Sequence, residues 1–293
     1  MANLDLTVLW EDDDILVVNK PPFVVVNRAE SIKGETIQDW AERHCEEVSR
    51  RGNLTPFTYI IKSVKYVIGN WKSNQNITES LIWLDQLAAL HPKFSTETTI
   101  ILCLPFTDIA SFNHKIADLG LPIISGSQNV SHLPPGKHTG EITANMLGEL
   151  VSYCIVGHSE RRREFGESSE MVAQKARLLL ENSITPIVCL DTPYMDEQIK
   201  AMFNFDVDVS RCFFVYEPID AIGTGKPIDP VDANHITSQI GFLTDNSAPV
   251  LYGGSISSDN AAAFTNQNRI DGVLVGTDSL EPTLFASIIT SLS

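Results

Sequence analysis

From residue 65 onward, short runs of apolar residues recur at regular intervals and show little of the in-out alternation of a half-exposed strand. They read "KYVIGNW", "TTIILCL", "LPIISGS", "VSYCIVG", "ITPIVCL", "RCFFVYE", "PVLYGG" and "DGVLVG". Between them lie stretches with helical spacing. Among these are "TESLIWLDQLAAL", "SSEMVAQKARLLLEN", which opens on the cap candidates Ser168 and Ser169, and "PVDANHITSQIGFLT", with Pro230 in its first turn. Continuous apolar strands separated by helices predict a parallel sheet covered on both faces. Eight such units in about 230 residues match a closed (β/α)8 barrel in number and size.

The first sixty residues break this rhythm. "LTVLWEDDDILVVNKPPFVVVN" predicts short strands around an acidic turn, and "GETIQDWAERHCEEVSRR" an amphipathic helix with Ile37, Trp40, Ala41 and Val48 near one face. "RGNLTPFT" reads as a linker. The expected division is residues 1–60 as an N-terminal fragment with its linker and 63–293 as the barrel, with the boundary near 51–62.

Composition narrows the function classes. A formal charge of −16 argues against nucleic acid as a bulk partner, because phosphate backbones are held chiefly by Lys and Arg. No run approaches the roughly 18 apolar residues of a membrane span, and the N-terminus has no secretory pattern, so the expectation is a cytoplasmic protein with no membrane partner. The five cysteines, Cys45, Cys103, Cys154, Cys189 and Cys212, show no CxxC spacing and are expected as buried reduced thiols; no metal site is expected.

In a closed barrel, chemistry sits where strand C-termini deliver side chains to the following loops. The first strand ends in "GNWKSN", offering Asn70 and Lys72, the fourth in "VGHSERR", offering His158, and the sixth at Glu217, where Pro218 stops the strand. The last two strands end in "YGGS" and "VGTDS". Backbone N–H groups of such turns bind anions without a basic patch, so Ser255, Gly276 and Thr277, with Lys72 across the mouth, form a candidate phosphate cradle. Taken singly, each feature has a plainer reading: a structural histidine, a solvated glutamate, a tight turn. A base, an imidazole, an ammonium and an anion cradle on one rim together specify proton transfer beside a carbonyl of a small phosphate ester.

The segments "GNWKSN", "QNV" with "GKHTGEITANML", "VGHSERR" with "EFGES", "VYEP" with "DAIGTGKP", "LYGGSIS" and "DGVLVG" resemble, in order, the signature segments of the triosephosphate isomerase family over about residues 65–293. The resemblance implies an α/β fold, a (β/α)8 TIM barrel, here preceded by a short α+β N-terminal fragment. It also implies an aldose-ketose isomerase of glycolysis and gluconeogenesis that needs no cofactor. Glu217 is then the base, His158 the neutral electrophile, and Lys72 and Asn70 stabilise the enediolate. The loop after Glu217 is then a lid with hinges near Pro218 and Gly225, Gly223 offering an N–H to phosphate. Ser159 and Glu160 orient the site, Arg161 and Glu167 form a structural ion pair, and the loop holding Thr139 enters a partner subunit of a homodimer.

The chain departs from the family pattern at three places. Asp220 stands where the family most often has Trp, and "VCLDTPYMDEQ" lacks the usual Gly-Glu, so both halves of one lid contact are absent together. Thr277 replaces a glycine, which keeps an N–H donor but is expected to restrict the backbone, and Asp278 beside it would repel a phosphate dianion if it faced one. A phosphate-binding barrel with weakened or lost isomerase activity is therefore the alternative. The N-terminal "VLWEDDDILVVNKPPFVVVN" resembles the opening of the catalytic domain of RNA pseudouridine synthases over about forty residues. No Arg-Leu-Asp segment, where that family carries its catalytic aspartate, occurs in the chain, so a non-catalytic fragment is expected and a role in RNA pseudouridine synthesis is the remote alternative.

Overall fold

A computed structural model describes the backbone of three strands in residues 8–63 and, apart from residues 93 and 222, the whole of residues 65–292. The chain forms two compact units, residues 1–64 and 65–293.

In the first unit, β1 (Val8–Glu11) and β2 (Ile15–Lys20) pair antiparallel, as the strand pattern around the acidic turn predicts. A third strand, β3 (Thr58–Ser63), pairs parallel to β2, with Ile15 opposite Thr58 and Lys20 opposite Ser63. A strand thus occupies the last five positions, 58–62, of the stretch read as a boundary. The amphipathic helix expected over "GETIQDWAERHCEEVSRR", the linker residues 51–57 and Cys45 lie outside the described residues.

The second unit is a closed barrel of eight parallel strands, each matching one apolar run of the sequence. They are β4 (Lys65–Asn70), β5 (Thr98–Leu104), β6 (Ile123–Ser127), β7 (Tyr153–Val156), β8 (Thr185–Leu190), β9 (Phe213–Tyr216), β10 (Val250–Tyr252) and β11 (Gly272–Val275). Consecutive strands are neighbours, and β11 pairs back onto β4, with Val273 opposite Val67 and Val275 opposite Gly69. Helices pack outside, so both faces of each strand are covered; Val67, Ile68, Ile101, Leu102, Phe213 and Phe214 have no solvent exposure. This explains the lack of alternation in the sequence.

Local chemistry sets the helix ends. Ser168, rather than Ser169, caps the helix Ser169–Glu181 by accepting the N–H of Met171, and Asp229 caps Pro230–Leu243 ahead of its N-terminal proline. Asn76 and Glu79 form a reciprocal capping box on Ile77–Ala89. Cys103, Cys154, Cys189 and Cys212 are buried free thiols, as expected. Among the described residues, no helix is long and apolar enough to cross a membrane.

Candidate active site

The C-terminal ends of the barrel strands open into a cleft of about 340 Å³. Of the residues singled out in the sequence, Lys72, Glu217, Gly223, Ser255, Gly276 and Thr277 line it, together with Asp278. Asn70 and His158 are buried and are not among the lining residues.

Trp71 fixes the first corner. It is fully buried, meets Trp83 and Phe112 edge-on at centroid distances of 5.0 and 5.4 Å, and donates its indole N–H to the Ser279 carbonyl at 3.0 Å. Its neighbours are thereby fixed as well. The Asn70 Oδ1 accepts the N–H of Lys72 at 3.1 Å, and Lys72 adopts φ 52°, a left-handed conformation uncommon outside glycine and often found at functional sites. The Lys72 ammonium then meets Glu160 Oε1 at 2.7 Å. Burial would raise the Glu160 carboxyl, but the Lys72 hydrogen bond and charge outweigh it and hold the group below the usual carboxylate range.

His158 follows β7 and caps the helix Ser159–Phe165. Its Nδ1 accepts the backbone N–H of Glu160 at 3.2 Å. A backbone amide can only donate, so Nδ1 carries no proton and the ring is the neutral tautomer with its N–H at Nε2. That Nε2 is buried and unpartnered, 3.6 Å from Glu217 Oε1, while Glu217 Oε2 is likewise buried and unpartnered. Each of these two buried polar atoms lacks a protein partner, an arrangement that costs about 1–3 kcal/mol per group.

Glu217 itself is 4% exposed, and its N–H extends the β8–β9 ladder by donating to the Leu190 carbonyl at 2.8 Å. Room for its side chain depends on Gly253: a Cβ there would lie 2.8 Å from Glu217 Cγ and 3.2 Å from Oε1. No sequence pattern marks this role of Gly253, because it depends on the approach of two strands far apart in the chain.

The loop after Glu217 lines part of the cleft through Gly223 and Gly225. Gly223 and Gly225 take φ of 68° and 70°, and the Ser255 hydroxyl joins both limbs by donating to Ala221 O at 2.6 Å and accepting Gly225 N–H at 3.0 Å. The Tyr252 hydroxyl accepts the N–H of Ile228 at 3.3 Å. Ser255, itself at φ 50°, therefore holds this loop as well as lining the cleft.

At the anion corner the structure corrects one expectation. Thr277 starts a short 3-10 turn, Thr277–Leu280, and is not among the residues at positive φ, so replacing glycine with threonine there imposes no left-handed strain. Asp278 does line the cleft, and burial pushes its carboxyl above the ordinary aspartate range.

The Arg161–Glu167 pair is present at 2.7 Å and has a third member that the sequence reading omitted, the buried Lys175, also 2.7 Å from Glu167 Oε2. Asp191 is a second omission. Read as part of a missing lid contact, it places a carboxylate against the lid, with Oδ2 accepting the N–H of Ile219 at 3.3 Å. A signal was available in the sequence, an acid immediately after an apolar strand.

A barrel with a buried carboxylate, a neutral imidazole and an ammonium around a cleft at its strand C-termini defines an acid-base enzyme of the (β/α)8 class. The sequence profile described as triosephosphate isomerase matches residues 65–292. The chain is 37% identical over 238 residues to the triosephosphate isomerase of Picosynechococcus sp., covering 76% of this chain and 97% of the relative. It is 36% identical to that of Corynebacterium diphtheriae, covering 76% and 94%, and 35% identical to that of Mesomycoplasma hyorhinis, covering 76% and 97%. The chain belongs to the triosephosphate isomerase family.

Proposed function

We propose that this protein interconverts dihydroxyacetone phosphate and D-glyceraldehyde 3-phosphate through an enediolate. The observation that carries the reading is the pair of buried, unpartnered atoms, Glu217 Oε2 and His158 Nε2, beside a cleft whose far corner is built from Ser255, Gly276 and Thr277. Glu217 takes the proton from the carbon next to the carbonyl. His158 Nε2–H hydrogen-bonds the carbonyl oxygen as it gains charge and moves a proton between the two enediolate oxygens, and Glu217 then returns its proton to the neighbouring carbon. Lys72 and Asn70 stabilise the developing negative charge, and backbone N–H groups around Gly223, Ser255, Gly276 and Thr277 hold the phosphate. Closing the loop over the cleft excludes water from the enediolate.

The active assembly in this reading is a homodimer in the cytoplasm, joined through the loop containing Thr139. Residues 139–141 are exposed, and Met146 beyond them is 55% exposed, which fits a surface that another subunit covers. The N-terminal unit is read as a non-catalytic fragment resembling the start of a pseudouridine synthase domain, with no nucleic-acid partner.

Asp278 favours one second reading, a barrel that binds phosphate esters with weakened or lost turnover. Coupled-assay turnover of glyceraldehyde 3-phosphate by the full chain tests both. Turnover above that of a Glu217→Gln control supports the isomerase, and binding of 2-phosphoglycolate without turnover favours the second reading.

A further inference from the structure

Asp191 immediately follows β8 and is 6% exposed, yet both of its carboxylate oxygens are engaged. Oδ1 accepts the backbone N–H of Thr192 at 2.7 Å and its hydroxyl at 3.3 Å; Oδ2 accepts the backbone N–H of Ile219 at 3.3 Å. Ile219 opens the 3-10 turn Ile219–Ala221, the first limb of the lid. Just before these residues, Leu190 C=O receives Glu217 N–H, one position ahead of Asp191 and two ahead of Ile219, so the Asp191 side chain continues the β8–β9 pairing past the end of the backbone ladder.

We propose that Asp191 is a positioning residue that anchors the first limb of the lid and sets how readily the loop closes over a bound phosphate ester. The side chain at position 220 of this limb is an exposed aspartate, so the anchor to β8 is made through the backbone. It acts on the backbone of the limb, independently of which side chains the lid carries. Ser255 holds the lid at Ala221 and Gly225. Without Asp191, the turn Ile219–Ala221 keeps its fastening to Ser255 and loses the one to β8, so closure becomes less favourable.

The residue must be a carboxylate. Both backbone partners are N–H donors, and an asparagine has one acceptor oxygen and one NH2 group. Asp191→Asn is isosteric, yet whichever way the amide turns, an NH2 faces an N–H. A group that merely filled space would tolerate the change.

The inference rests on the isomerase reading for its role in turnover, but its test includes a binding measurement that does not. Dissociation constants for 2-phosphoglycolate are measured by titration calorimetry on the full-length wild type, Asp191→Asn and Asp191→Ala, with melting temperatures alongside. The share of turnovers ending in inorganic phosphate is measured in the same proteins. In that side reaction the enediolate electron pair expels the phosphate with cleavage of the C–O bond, and the remaining enol gains a proton on its methylene carbon and gives up its hydroxyl proton to form methylglyoxal. The expected result is roughly tenfold weaker binding and a raised phosphate share in both variants, with melting temperatures close to wild type. Unchanged affinity and phosphate share would overturn the proposal, as would an asparagine variant that matches wild type while the alanine variant fails. A wild type that binds 2-phosphoglycolate but does not isomerise would defeat the functional reading alone, since the affinity ratio still tests the anchor.

Discussion

Glu217 Oε1 lies 3.6 Å from His158 Nε2, too far for a hydrogen bond between them and close enough for both to reach one small molecule. The backbone N–H of Glu160 occupies Nδ1, which leaves the imidazole a single proton, directed at the site. If the two groups are the base and the electrophile, Glu217→Gln lowers kcat by about 10²–10⁴-fold with an unchanged far-ultraviolet circular dichroism spectrum. Retained isomerisation in that variant would refute the assignment.

Gly253→Ala tests the clearance around the base. The added methyl group would meet Glu217 Cγ at 2.8 Å and Val215 Cγ1 at 3.1 Å, so the carboxylate has to shift. A displacement of this kind lowers kcat by about 10²-fold with a smaller effect on KM. Steady-state kinetics of the folded variant separate the two parameters, and an unaltered kcat would show that the base has slack.

Asp278→Ala should improve substrate binding. Burial raises the Asp278 carboxyl, so its charge develops later than usual as pH rises, and a phosphate dianion is repelled only once it has. Lys72 and Glu217 also face the cleft and are shared by both proteins, so their titration and that of the substrate cancel in a ratio. The ratio of wild-type to variant KM should therefore rise with pH, reaching about two- to fivefold near neutrality, a modest effect because solvent screens the half-exposed group. KM measured from pH 5 to 8 checks this, and a flat ratio of one would place the phosphate out of reach of Asp278.

Glu167 links pH to stability. Burial alone would raise its carboxyl, but Lys175 first, and then Arg161, hold it below the usual range. A depressed carboxyl pKa means that its contribution is complete above the ordinary glutamate value of about 4.3 and is lost as pH falls through the lowered one. Glu167→Gln should cost about 3–5 kcal/mol at pH 7, because Lys175 is left buried without its carboxylate counter-charge, and should flatten the acid limb of the stability curve. Urea unfolding from pH 3 to 7 measures both.

The eight barrel strands were legible because burial on both faces writes itself as uninterrupted apolar runs, and the candidate rim residues because each immediately follows one. Helix starts were legible from caps, with the choice between Ser168 and Ser169 left to geometry. The contacts that escaped are tertiary. Asp191 reaches Ile219 across 28 positions, and Lys175 joins Glu167 by lying two turns along a helix whose start the sequence showed but whose rotation it did not. Thr277 misled because the glycine that the resemblance implied there suggested a positive φ, which this backbone does not adopt. The strand Thr58–Ser63 was hidden in a stretch that a proline and a glycine made look like a linker.

The bond from Trp71 to Ser279 crosses the seam where the first barrel strand meets the last, β4 against β11. Lys72 stands on one side of that seam and Gly276, Thr277 and Asp278 on the other. These segments are about 200 residues apart in the chain, so their meeting carries the largest loop-closure cost in the barrel. Until translation has delivered β11, no substrate pocket exists. A truncated product lacking its last strands would be inert, and a bound phosphate ester would act as a rivet that only the finished barrel can accept.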